Sequence, residues 1–486
     1  MNKNEGNVLP LPPLWAALVP ICFLITLLAA AVYFFGSDSS SGATQIALLM
    51  TASLAAAIAV YLGHSWVEIE TAIIDGITVA LRAILILLVV GALIGTWIAG
   101  GIVPTLIVYG LEILDPAYFY LASCIICAIV SLSTGSSWTT AGTVGVALIG
   151  VAQAFDLSPA ITAGAIISGA YFGDKMSPLS DSTNLTAAVA RADLFDHIRN
   201  MVWTTAPGIL IALVLYAALG FGAGSSENMD LSATTDAINS IFYTGWPMLI
   251  PLLVVLGLAA LRMPPIPTLL LGTLLGAVYA IVFQTDALSQ YGVFLGGGDY
   301  VGVKAMWTAF FAGFKVVTGN EAVDELLSRG GMSSMLTTVW LILSAMILGA
   351  VLEHTGMIAR LIGASMASMK RVGSLIATTV SVCIGTNIIA SDQYIAIVVP
   401  GRMLAPTYER LGLAPSALSR TLEDSATLTS PLVPWNTCGA FMAATLGVAT
   451  FDYLPFCFLG LLTPLIAILY GYLGIKIVRR EEKTQG

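Results

Sequence analysis

From Leu14 onward the chain runs through one apolar stretch after another, many reaching or approaching the ~20 residues that span a hydrocarbon core. In lipid every backbone N–H and C=O has to be bonded within the structure, which restricts what such stretches can form. Continuous apolar runs of this length form helices. Charged residues make up only 10% of the 486 residues and hydrophobic ones 57%, whereas soluble domains carry about 25% charged residues. The fold class expected is therefore all-α and polytopic, with about 10–14 membrane segments. The first run, Leu14–Phe35, is too long and too poor in preceding basic residues to be a signal peptide, so it reads as a membrane helix.

The net charge of −9 is spread over a few loops and no Lys/Arg block is present. The lipid bilayer is the expected partner, and nucleic acid is not. Cys124 and Cys127 sit one helical turn apart with no other ligand nearby, which suits packing better than redox or zinc chemistry. His64, His197 and His354 are scattered and give no metal-ligand spacing. No Walker-type phosphate loop or nucleophile–base pair occurs, so no cofactor is expected and an enzyme or ATP-driven pump has no support.

One stretch departs from this pattern: Tyr171-Phe-Gly-Asp-Lys-Met-Ser-Pro-Leu-Ser-Asp-Ser-Thr-Asn184. A charge near the bilayer centre costs roughly 2.5–3.5 kcal/mol on insertion scales, so such groups persist mainly where they bind or move something. Glycine, proline and hydroxyl residues in the same stretch also interrupt the helix. Irregular backbone at that depth has to face protein or a water-filled cavity.

The pattern recurs. Leu157-Ser-Pro159 is echoed by Leu413-Ala-Pro415, and Ser177-Pro178 by Val433-Pro434, each pair of prolines being 256 residues apart. The same register sets Ser136 on Asp392 and Trp138 on Tyr394. Arg191 to Arg199 is basic in the first copy, whereas Lys370-Arg371 and Arg402 to Arg410 are basic in the second. By the positive-inside rule, equivalent loops fall on opposite sides, so the copies are expected to be inverted repeats. Each holds a long helix (residues 80–99 and 336–353), a hairpin with a polar tip, and a broken helix (159–190 and 415–444). The organisation expected is 1–75 N-terminal membrane helices, 76–200 first repeat, 201–331 connecting helices and loop, 332–448 second repeat, and 449–486 last helix and tail. Residues 222–236 read as an external loop, and 296–331 as a loop or interfacial helix. Both termini are expected to be cytoplasmic, in the inner membrane.

Inverted repeats with broken helices are a recurring plan of secondary transporters, with the site near the midplane. Carboxylate, hydroxyl and amide oxygens are what a hard cation such as Na⁺ takes. Cation or proton binding is thus expected among Asp174, Asp181, Asn184, Asp392, Glu423 and Asp424, with Ser136, Ser180, Thr183, Asn387, Asn436 and Thr437 in support. Within that set Asp181, Asn184, Asn387 and Asn436 are the expected Na⁺ ligands. The structural alternatives are that Asp174 and Asp181 pair with Lys175 or cap half-helices, and that Asn184 and Thr183 satisfy loose backbone groups. Lys175 reads as a counter-ion, and Arg402 and Arg420 as snorkelling or salt-bridged. A channel is disfavoured, because two equivalent interruptions suit alternating access better than one pore.

The motif Gly173-Asp-Lys-Met-Ser-Pro-Leu-Ser-Asp181 with Thr183-Asn184, and then Asp193-Leu-Phe-Asp-His-Ile-Arg199, resembles the NhaC family of Na⁺/H⁺ antiporters. So do Ser391-Asp-Gln-Tyr394, Leu422-Glu-Asp-Ser-Ala426 and Ser430-Pro-Leu-Val-Pro-Trp-Asn-Thr437, and the likeness runs over residues 81–473. The resemblance implies a transporter of hairpins and broken helices that exchanges Na⁺ for H⁺. Some family members swap malate for lactate with coupled Na⁺ and H⁺, so a small organic anion or an amino acid is the alternative cargo. A homodimer is compatible with it.

Overall fold

The computed structural model describes residues 10–223, 231–318, 321–365 and 369–480. Among these the chain is all-helical, the one β contact being an isolated bridge between Leu413 and Arg479. The first helices are α1 (Leu14–Phe35), α2 (Ala43–Tyr61), α3 (Trp66–Ala99) and α4 (Ile102–Ile113). A hairpin follows: α5 (Phe119–Thr134) descends to a tip, and α6 (Ser137–Thr140) returns through a π turn at Ala141–Gly145 into α7 (Val146–Ala154). Then come α8 (Pro159–Met176), α9 (Asp181–Ala190) and α10 (Leu194–Ala223).

The connecting region holds α11 (Leu231–Asn239), α12 (Ile250–Ala260), α13 (Pro265–Phe283), α14 (Thr285–Phe294), α15 (Val301–Ala312) and α16 (Glu321–Leu327). The second half begins with α17 (Leu336–His354) and the short α18 (Met357–Ser365). Its hairpin is α19 (Val372–Ala390) and α20 (Gln393–Arg410), and its broken helix is α21 (Pro415–Leu422), a π turn at Glu423–Thr427, and α22 (Thr437–Leu446). The short α23 (Thr450–Tyr453) and α24 (Phe458–Leu473) close the described chain.

Among the described residues eight helices are long and apolar enough to cross a membrane. A ninth span results if Thr450–Phe456 and Phe458–Leu473, bent by 56°, are counted together. The larger number expected from sequence included hairpin legs and broken-helix halves shorter than a bilayer, such as α7, α9 and α22. The chain is a multi-pass membrane protein.

Several boundaries move. The expected helix 80–99 is the C-terminal part of α3, whose 34 residues extend about 50 Å at 1.5 Å per residue and so exceed the hydrocarbon core. It starts earlier because Ser65 and Glu68 form a reciprocal capping box ahead of it. The expected loop 222–236 lies partly outside the described residues, and its last residues begin α11. The region 296–331 contains two helices, α15 and α16, rather than one. Residues 481–483 of the basic tail are outside the described residues.

Backbone conformation repeats at the 256-residue register. Gly135 (φ 68°) and Ser391 (φ 61°) are the left-handed tips of the two hairpins. Asp156 and Gly412, and Arg191 and Gly447, form two further left-handed pairs at that spacing. Ser136 and Asp392 follow the tips as N-caps, while Ser180 and Asn436 cap the helices after the breaks.

At the first tip a Cβ on Gly135 would lie 2.6 Å from Leu179 Cβ and 3.0 Å from Ser180 N. Gly135→Ala therefore combines a clash with left-handed strain, and is expected to cost about 1–3 kcal/mol. Ser391→Ala, where a side chain is already accommodated, is expected to be near neutral. Thermal unfolding of the two detergent-purified variants checks the difference.

Candidate functional site

The breaks in the two helices bring the motif residues together. In the first break the free carbonyls are satisfied locally. Thr183 Oγ1 donates to Lys175 O at 3.1 Å, and Asn184 Nδ2 donates to Pro178 O at 3.0 Å and Ser180 O at 2.6 Å. Ser177 Oγ donates to Leu132 O of the hairpin at 2.9 Å. Each group left unsatisfied in lipid would cost several kcal/mol, which accounts for the hydroxyls and the amide.

Hairpin and broken helix are then stitched in the same way in both halves. Ser131 Oγ donates to Ala170 O at 2.5 Å, and 256 residues later Asn387 Nδ2 donates to Ala426 O at 2.7 Å. Ser137 donates to Asp174 Oδ2 through its backbone N (3.1 Å) and Oγ (2.6 Å). The corresponding pair is Ser430 Oγ donating to Gln393 Oε1 at 2.9 Å.

The halves also reach across to each other from equivalent positions. Trp138 stacks on Phe441 of α22 with ring centroids 4.0 Å apart, and Tyr394 Oη donates to Asp181 Oδ2 of α9 at 2.9 Å.

Where the two tips and two breaks meet lies a cavity of about 100 Å³. Asp174, Asp181, Asp392, Ser136, Ser137 and Thr437 are on its wall, together with Tyr394 and Arg82. Asp174 and Asp392 are almost wholly buried, at 7% and 4% exposure. Asp174 Oδ1 has no hydrogen-bond partner among the described residues. Asp392 Oδ1 accepts from the N–H groups of Tyr394 (2.8 Å) and Ile395 (3.1 Å), and its Oδ2 accepts from Thr437 Oγ1 (3.3 Å). Asp181 is more open, with Arg82 Nη1 at 3.8 Å. Three carboxylates thus face one guanidinium across this space.

The remaining expected ligands lie off this wall. Asn387 and Asn436 are buried and bonded to each other, Asn436 Nδ2 donating to Asn387 Oδ1 at 3.1 Å, and Asn387 also donates to Thr429 Oγ1 at 3.0 Å. Asn184 is exposed and spent on the break, and Ser180 and Thr183 cap and brace it. Glu423 and Asp424 point to different partners. Glu423 accepts from Ser182 Oγ (3.2 Å) and Thr186 Oγ1 (2.5 Å), whereas Asp424 takes a hydrogen bond from Lys175 Nζ in a fully buried ion pair. Lys175 is the expected counter-ion, but its partner is in the other half rather than at Asp174 or Asp181.

Arg420 does not snorkel. It is 1% exposed, and its Nη1 donates to Asn200 Oδ1 and Lys476 O.

Arg82 is the wall residue that sequence reasoning missed. A lone arginine inside an apolar run was the available signal, because such a charge needs a partner.

Comparison with known proteins identifies the family. The model of the Na⁺/H⁺ antiporter family matches residues 169–475. The Na⁺/H⁺ antiporter NhaC of Alkalihalophilus pseudofirmus is 41% identical, over 90% of this chain and 92% of its own length. A malate-2H⁺/Na⁺-lactate antiporter of Bacillus subtilis is 39% identical over 88% of this chain and 89% of its own. The NhaC antiporter of the same organism is also 39% identical, over 88% and 92%. A family model covering more than half of the chain, together with such relatives over nearly its whole length, settles the assignment: the chain belongs to the Na⁺/H⁺ antiporter family.

Proposed function

We propose that this protein is a secondary active transporter that exchanges Na⁺ for H⁺ by alternating access. The observation that carries the reading is the small cavity where Asp174, Asp181 and Asp392 converge from both halves. Na⁺ would be held by these carboxylates with hydroxyl oxygens of Ser136, Ser137 and Thr437, the oxygen-only donor set a hard cation takes. Competition supplies the coupling: a carboxyl that gains a proton loses its charge for Na⁺, and bound Na⁺ expels the proton. Asn184, Asn387 and Asn436 then serve as braces of the breaks rather than as ligands.

Alternating access follows from the proposed relation between the halves as inverted repeats. It is supported by the left-handed pairs, the matched caps and the matched stitching bonds at one register. The reversed distribution of basic loops supports opposite orientations, with both termini cytoplasmic in the inner membrane.

A second reading, Na⁺- and H⁺-coupled exchange of a small organic anion, draws on Arg82, the cation on the cavity wall, and on the malate/lactate relative. Charge weighs against it, since a dicarboxylate would enter beside three carboxylates.

Reconstituted protein should move protons on addition of Na⁺, with no requirement for malate, lactate or amino acids. Proton movement that requires an added organic acid, or counterflow of labelled malate, would replace this reading with the second.

A further inference from the structure

Two of the three histidines that look scattered in the sequence meet at one end of the molecule. His64 lies in the turn before α3, Glu68 in the first turn of α3, and His354 is the last residue of α17. One ligand atom from each lies within 4.8 Å of the other two. The imidazole centroids are 5.9 Å apart. We propose that His64, Glu68 and His354 form a binding site for a transition-metal dication of the Zn²⁺ class, clamping the start of α3 to the end of α17.

The donor set selects the class. Two imidazoles and one carboxylate suit Zn²⁺, Ni²⁺ or Co²⁺, whereas Na⁺, Mg²⁺ and Ca²⁺ prefer oxygen alone. Three protein ligands leave a fourth tetrahedral position for water. Metal–ligand bonds of about 2.0–2.2 Å put tetrahedral donor atoms roughly 3.4 Å apart, so modest rotation of these partly exposed side chains closes the site.

The surroundings hold the ligands in place. The capping box has Ser65 N donating to Glu68 Oε2 at 3.1 Å and Glu68 N donating to Ser65 Oγ at 3.3 Å, which orients the carboxylate and leaves Oε1 for the metal. The two helices are already close, since a Cβ on Gly76 would fall 2.5 Å from Ala350 Cβ. None of the three ligands borders the cavity of Asp174, Asp181 and Asp392. The clamp nevertheless acts on the helix that carries Arg82 to it.

The test uses the purified full chain in detergent, stripped with EDTA and titrated with Co²⁺. A single equivalent should give the visible bands of a tetrahedral complex, and Zn²⁺ should displace it and raise the unfolding temperature. His64→Ala and His354→Ala should each lose the bands and the Zn²⁺-dependent rise while keeping the wild-type melting point without metal. Glu68→Gln, which can keep the cap, should weaken Co²⁺ by about tenfold or more. Absence of the bands in the wild-type protein, or bands unchanged in both histidine variants, overturns the proposal. Na⁺/H⁺ exchange by metal-free protein is a separate readout, so failure of this site leaves the transport reading untouched.

Discussion

Lys175→Met is expected to abolish recovery of folded protein, and adding Asp424→Leu to the same chain is expected to restore it. Both side chains are fully buried, and Lys175 Nζ is bonded to Asp424 Oδ1 across the two broken helices. Asp424 Oδ2 has no hydrogen-bond partner among the described residues, so Lys175 supplies the direct hydrogen bond to that carboxylate. Removing one partner of a buried pair costs about 3–5 kcal/mol, because the other charge is stranded. That is a large fraction of the ~5–15 kcal/mol by which folded proteins are typically stable. Replacing both partners with apolar groups of similar volume removes the desolvation cost as well as the attraction, and is often neutral or stabilising. Size-exclusion profiles and melting points of the single and double variants measure this directly. Because Asp424 lies off the cavity wall, the double variant is also expected to exchange Na⁺ for H⁺. A folded but inactive double variant would return Asp424 to the ion-carrying set, and a stable Lys175→Met would show that the pair is not a structural strut.

Much of the architecture was legible because polar residues in lipid have few reasons to exist. The motif at residues 171–184 and its echo at residues 430–437 marked both breaks, and proline spacing gave the register that Gly135 and Ser391 share in backbone conformation. Asp174, Asp181 and Asp392 were nameable for the same reason. Partnership was not legible. Lys175 has acids one and six residues away, yet pairs with Asp424, because helical geometry aims it at the opposite half. Asn387 and Asn436 have the right oxygens for Na⁺, but amides also donate, and here the break and the hairpin claim them. The His64–Glu68–His354 cluster was not legible because its third member comes from 290 residues beyond His64, brought there by α3 and α17 running alongside each other. Local chemistry constrains which residues are special. Which of them meet is decided by packing over long separations.

Asp174→Asn and Asp392→Asn are each expected to lower Na⁺-driven proton movement at least about 100-fold while leaving the protein folded. Two unit charges 4 Å apart at an effective dielectric of 20 interact by about 4 kcal/mol, so losing one carboxylate from the cation's shell costs more than two decades of affinity. Asparagine also removes the proton-accepting oxygen, which takes away coupling as well as binding. The folds should survive because the amides keep an acceptor. Asn at 392 can still cap α20 through the N–H groups of Tyr394 and Ile395, and Asn at 174 can still accept from Ser137. Glu423→Gln is the comparison. Its partners Ser182 and Thr186 are hydroxyls that can rotate to serve an amide, and Glu423 does not border the cavity. Its exchange rate should stay within about tenfold of wild type. The decisive measurement is the initial rate of fluorescence dequenching in proteoliposomes across a Na⁺ series, with protein orientation and amount matched. Normal exchange by both aspartate variants would remove the cavity from the ion path. A Glu423→Gln variant as dead as they are would move the proton-carrying group into the second broken helix, behind the cavity rather than on its wall.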